Sequence, residues 1–282
     1  MSNNSIFRRR SGRLASSLAA IALITGFTAA PASAAPAPVY IALGDSYAAG
    51  TGGGQYAGPP PGLPQQCLQT AAAYPTVRGA ALNLGCFGAT TTDVTAVATL
   101  YAPALATASV VTVTVGGNDV DTGRVAGACT VPTAGTDCSS ALYNTLVVKL
   151  RQLPGKIKAM VSTLRTVAPH ARIVLTGYPR LFTVSAALTP QQALAAKSMN
   201  TAADLLNATI ALSALTNRVG FVGVTERFAG HGIGSADPWI VAPAGLCNQA
   251  VNCSPSAADA FHPTAAGYSG GYAEALKAAR IP

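Results

Sequence analysis

Five short apolar runs, most of them ending at a glycine or a turn, constrain this chain more than any other feature. Val39 to Leu43 stops at Gly44, and the β-branched run Val110 to Val115 stops at Gly116 and Gly117. Arg172 to Thr176 and Phe221 to Val224 repeat the pattern, and Ala81 to Gly85 is a fainter instance. Runs this short, β-branched and bounded by glycine, read as buried parallel strands. Helical patterns lie between them. Across 142–167, Leu142, Leu146, Leu150, Leu153, Ile157, Met160 or Val161, Leu164 and Val167 recur every three or four residues and form one apolar face. Pro154 inside that pattern predicts a kink or two successive helices. Residues 190–217 and 264–280 are helical in pattern as well. Alternation of strand and helix implies an α/β chain, a three-layer α/β/α sandwich on a parallel sheet.

The N-terminus has a different composition. Arg8, Arg9, Arg10 and Arg13 precede an apolar stretch from Leu18 to Phe27, followed by Ala32-Ser33-Ala34. Basic, apolar and A-x-A parts in that order predict a secretory signal peptide over 1–34, leaving one domain over 35–282. Ser16, Ser17, Thr25, Gly26 and Thr28 interrupt the apolar stretch, so it falls short of the roughly 20 residues of a spanning helix. Half of the net charge of +8 is located there. Without residues 1–34, 14 basic residues face 10 acidic ones, which gives no reason to expect a nucleic-acid partner. Lys149, Arg151, Lys156, Lys158, Arg165 and Arg172 still concentrate in one stretch. They read either as a solvated helix face or as a surface that attracts anionic lipid for transient contact.

An exported chain meets an oxidising compartment, so six cysteines are expected as three disulfides. Sequence order favours neighbours: Cys67 with Cys86, Cys129 with Cys138, and Cys247 with Cys253. No C-x-x-C, H-E-x-x-H or histidine cluster occurs, so neither a metal nor a cofactor is expected.

In open parallel sheets the reactive crevice lies at the carboxyl ends of the strands. The first strand runs into Gly44-Asp45-Ser46-Tyr47, placing a hydroxyl on a tight turn. Ser46 is a candidate nucleophile whose own N–H can serve an oxyanion; alternatively Asp45-Ser46 caps a helix. Asn118, after Gly116-Gly117, can donate to an oxyanion or sit as an ordinary turn residue. Gly88 would let a backbone N–H approach a substrate closely. Of three histidines, His170 lies at the amino end of a strand, on the wrong side of the sheet. His231, in a Gly-rich stretch, stays open as a base or a substrate-side contact. His262 follows Asp259 at i, i+3, so the carboxylate can hold the imidazole, or the pair only caps the last helix. Gly267-Tyr268-Ser269-Gly270-Gly271 matches G-x-S-x-G by letter, but it lies in a helical pattern with no later histidine, which excludes a nucleophile elbow.

Taken together, L-G-D-S-Y at 43–47, C-F-G-A at 86–89, V-G-G-N-D at 115–119 and D-A-F-H-P at 259–263 resemble the GDSL, or SGNH, hydrolase superfamily. The likeness is greatest to its secreted actinomycete lipases and phospholipases, which share six cysteines and a segment like Gly177-Tyr178-Pro179-Arg180. The resemblance implies a flavodoxin-like five-stranded sheet and disulfides between successive cysteines. It implies Ser46 as nucleophile, His262 as base and Asp259 as the group orienting it, with a backbone carbonyl as the alternative. It also implies an oxyanion hole from the Ser46 and Gly88 N–H groups and the Asn118 amide. The activity implied is that of a secreted, monomeric carboxylic ester hydrolase, a lipase or esterase acting on acylglycerols or phospholipids. A polysaccharide O-deacetylase of the same superfamily and a non-catalytic secreted binding module are the alternatives.

Overall fold

A computed structural model describes residues 38–282 apart from 131–136, 187, 245, 247–252 and 255. The expected signal peptide, 1–34, lies outside the described residues. The described part belongs to one compact unit spanning 37–282.

The five apolar runs become five parallel strands. They are β1 (Tyr40–Gly44), β2 (Leu82–Gly85), β3 (Val110–Thr114), β4 (Arg172–Thr176) and β5 (Gly220–Val222). Their order across the sheet is β2-β1-β3-β4-β5, all parallel. That is the doubly wound order, with its reversal point between β1 and β3. Tyr56–Ala57 and Gln69–Thr70 form a separate two-residue antiparallel ribbon.

Alternation along each strand divides the core in two. Ile41 and Leu43 of β1, with Val111 and Val113 of β3, pack towards helices Thr91–Leu100 and Leu153–Val167. Tyr40 and Ala42 face the other way, against Tyr74, Phe228, Tyr268 and Tyr272. Successive strand residues point to opposite faces, so two helical layers are needed to bury both. Three buried threonines in the sheet would be costly without partners. Tyr40 Oη meets Thr112 Oγ1 at 2.8 Å, Tyr74 Oη meets Thr114 Oγ1 at 2.8 Å, and Thr114 and Thr176 share a 2.5 Å bond.

The last strand is shorter than the apolar run suggests, pairing over Gly220–Val222 while Val224 joins the core beyond it. The long helical pattern breaks near Pro154, as its position requires. Cys138–Tyr143 passes into a π-helical stretch, Asn144–Lys149, and a new helix begins at Leu153 with Pro154 in its first turn, where no N–H is needed. Residues 190–216 form one 27-residue helix. Its carboxyl half packs on the sheet, and its amino half carries Met199 and Ala202 to the crevice. Among the described residues, no helix is long and apolar enough to cross a membrane.

Candidate active site

The turn after β1 is built by close approach of two strands. Gly44 has φ +138°, and a Cβ there would lie 2.2 Å from the Thr114 carbonyl oxygen. Only glycine lets β1 pass so close to β3 and turn with positive φ. The Asp45 N–H then donates to Thr114 O at 2.8 Å, and the Asp45 side chain accepts from Tyr47 N–H at 3.0 Å, capping helix Ser46–Ala49. Capping and exposure of Ser46 to the crevice occur together, since the cap is what fixes the serine. Ser46 Oγ lies 2.7 Å from His262 Nε2.

His262 arrives from the far end of the chain on a strained turn. Phe261 has φ +66°, a conformation a non-glycine residue holds only when its surroundings impose it. Here Phe261 N–H donates to Val241 O at 2.8 Å, and Tyr47 Oη donates to Phe261 O at 2.7 Å. Val241 N–H donates to His262 O at 2.9 Å. The residue after the candidate nucleophile therefore holds the backbone that presents the candidate base.

Ser46, Gly88, Asn118 and His262 open into one cavity of about 320 Å³, with Phe87 and Met199 among its walls. Gly88 has φ +78°. Among the described residues, neither the Ser46 nor the Gly88 N–H has an acceptor. Asn118 Nδ2 donates to Ala89 O at 3.0 Å, which uses one of its two amide hydrogens and leaves the other for the cavity. Next to it, the buried Asp119 carboxylate accepts from Thr91 N–H at 2.9 Å and Thr91 Oγ1 at 2.8 Å, and pairs with Lys156 at 3.3 Å. The turn carrying Asn118 is thus laced to the loop carrying Gly88. The Cys67–Cys86 disulfide anchors the start of that loop.

Desolvation dominates the electrostatics. Burial lowers the His262 pKa from 6.5 to about 4, outweighing the carbonyls of Ala260, Asp259 and Ala258, which favour the charged ring. The imidazole is neutral at pH 7 and can accept the serine proton. Burial likewise raises Asp45 from 3.8 to about 7, against hydrogen bonds from Tyr178 and Tyr47. Tyr178 Oη donates to Asp45 Oδ2 at 2.5 Å and accepts from Gly117 N–H at 3.1 Å. One phenol thereby joins the Ser46 turn to the Asn118 turn. Neither Asp119 nor this phenol was expected. The only sequence hints were the Asp after Asn118 and the Tyr of the Gly177–Arg180 segment.

The chain matches the GDSL-like lipase/acylhydrolase family over residues 42–269. That span holds all four motifs and the whole crevice. The chain belongs to this family. As a member it is a carboxylic ester hydrolase. It is 31% identical to Lipase 1 of Streptomyces coelicolor over 269 residues, 93% of this chain and 94% of that one. Its fold superposes on the extracellular lipase of Streptomyces rimosus with a TM-score of 0.73 at 28% identity, covering 86% of this chain and 100% of that structure. Phospholipase A1 of Streptomyces albidoflavus gives 0.71 at 31% identity, covering 86% and 98%.

Within the hydrolase, one expected contact is replaced by others. The Asp259 carboxylate does not meet His262 but accepts from the hydroxyls of Tyr56 and Ser254. The buried His262 Nδ1 has no hydrogen-bond partner among the described residues, and the groups bearing on it are chiefly backbone carbonyls. A side chain at i−3 in this turn points to the ribbon loop rather than along the ring. His231 does not line the cavity. It stacks on Trp239 with centroids 3.7 Å apart and bonds Asp237 O at 2.8 Å. His170 is exposed ahead of β4. The G-x-S-x-G segment lies in a π-helical stretch, Gly267–Ala273, where Gly270 and Gly271 make room for Trp239 and Phe228. The Cys67–Cys86 and Cys129–Cys138 bridges are present. Cys253 is disulfide-bonded, but Cys247, its expected partner, lies outside the described residues. Among the described residues no cluster suits a metal ion.

Proposed function

We propose that this chain is a secreted serine hydrolase, residues 35–282 after loss of 1–34, that cleaves lipid carboxylic esters through an acyl-enzyme on Ser46. The observation carrying the reading is the 2.7 Å contact of Ser46 Oγ with a neutral His262 Nε2 in the floor of the cavity. His262 takes the hydroxyl proton as Ser46 attacks the ester carbonyl. The Ser46 and Gly88 N–H groups and the Asn118 amide hold the oxyanion. His262 returns its proton to the leaving alcohol, and water, activated by the same ring, releases the acid. The carbonyls of Ala258, Asp259 and Ala260 stabilise the transient imidazolium in place of a carboxylate. Export is supported by the N-terminal pattern, the disulfides and the likeness to an extracellular lipase. A lipid acyl group, including that of a phospholipid, is supported by the apolar walls Phe87, Val125, Met199 and Leu206 and by lipase and phospholipase relatives.

A fluorophosphonate probe labels the mature protein and fails to label Ser46→Ala; persistent labelling of that variant overturns the assignment. A profile of p-nitrophenyl esters rising beyond acetate supports the lipid reading, and a maximum at acetate refutes it.

A further inference from the structure

The 27-residue helix Pro190–Thr216 has two apolar faces. The inner one supplies Met199, Ala202 and Leu206 to the cavity. The outer one shows Leu194, Leu205, Leu212 and Leu215 to solvent at 66%, 43%, 61% and 73% exposure. At 3.6 residues per turn, Leu194, Leu205 and Leu212 fall within about 20° of one line, with Leu215 at its edge. Three large aliphatics on one line with a fourth beside it are more than the scattered exposure of an ordinary surface.

A cationic stripe runs beside them. Between Asp137 and Asp204 the sequence holds eight Lys or Arg and no acidic residue. Lys149, Lys156 and Arg180 are paired with carboxylates. Arg151, Lys158 and Arg165, seven residues apart, have none within 4 Å among the described residues. Arg151 lines a second cavity with Leu212, and Arg165 donates to the carbonyl of Asn217 at the end of the leucine helix. The stripe therefore meets the end of the leucine helix at Arg165 and shares a cavity wall with it at Arg151.

We infer that this face docks on an anionic lipid surface, the leucines entering the interface and the stripe meeting its headgroups. Apolar side chains flanked by Lys and Arg are the composition that lies in such an interface. A second copy fits worse, because a two-fold contact would set the same unpaired cations against each other. Docking brings the wall of the cavity against the lipid that holds the ester. Only this last consequence rests on the hydrolase reading.

The test is co-sedimentation of the mature protein with vesicles of phosphatidylglycerol and phosphatidylcholine in equal parts, and with phosphatidylcholine alone. The wild type sediments with the anionic vesicles, and added salt releases it. R151Q/K158Q/R165Q partitions on the order of a hundredfold less, at roughly a factor of five per cation. L205S/L212S/L215S also loses binding. Both variants hydrolyse soluble p-nitrophenyl butyrate as the wild type does, showing that they are folded. Equal binding by wild type and variants, or no salt effect on the wild type, overturns docking. So does a wild-type dimer that the serine variant dissociates. A wild type that binds vesicles but leaves the soluble ester intact refutes the hydrolase reading alone.

Discussion

The two buried titratable groups beside Ser46 should make opposite and nearly cancelling contributions to stability between pH 4 and 7. Asp45 is raised from 3.8 to about 7 by burial, so the folded state binds its proton more tightly than the unfolded state. Its contribution is fully present below pH 3.8 and is lost as pH rises to 7, about 4 kcal/mol in all. His262 is lowered from 6.5 to about 4, so the unfolded state binds that proton more tightly. Its contribution is present above pH 6.5 and is lost as pH falls to 4, about 3 kcal/mol. Against a total stability of about 5–15 kcal/mol, either alone would dominate the profile. Together they leave a net change of about 1 kcal/mol. Urea unfolding of wild type, Asp45→Asn and His262→Ala at intervals from pH 4 to 7 separates them. Relative to wild type, Asp45→Asn gains stability as pH rises, and His262→Ala loses it. Each variant differs in absolute stability for other reasons, so the slope is the measurement. Curves parallel to wild type for both variants would refute the burial argument.

Asn118→Ala should lower kcat by about 10² to 10³, the loss expected of one oxyanion donor, while the protein stays folded at the assay temperature; near-wild-type turnover removes Asn118 from the site. Asp259→Asn should keep kcat within a few-fold, because the carboxylate serves Tyr56 and Ser254; a loss of about 10⁴ would restore it as the group orienting His262. Gly44→Ala should unfold the protein at lower denaturant by several kcal/mol, adding roughly 1–3 for the positive φ to a backbone overlap with Thr114. A midpoint equal to wild type would show that β1 and β3 can separate at no cost.

The sheet was legible because strand and helix leave different periods, and β4 is found as read, over Arg172–Thr176. That Ser46, Gly88, Asn118 and His262 share one cavity was legible because each follows a strand end or precedes a helix, where the crevice rule directs attention. Asp259 was misplaced because i, i+3 spacing specifies a shared face only on a regular helix, and the positive φ of Phe261 breaks that regularity. Lys156 read as part of a solvated face, yet its ammonium reaches the buried Asp119. Contacts across 133 residues, such as Tyr178 with Asp45, leave no periodic trace and emerge only from the fold.

The shared phenol of Tyr178 has a mechanical meaning. The turns after β1 and β3 hang from one oxygen that is itself fixed beyond the end of β4. A tilt of the sheet therefore carries the serine and the asparagine together, as a common displacement and not a relative one. Slack introduced in the distant core should leave the spacing of Ser46 and Asn118 intact. Activity in core variants would then follow the fraction of molecules folded, without fading ahead of it.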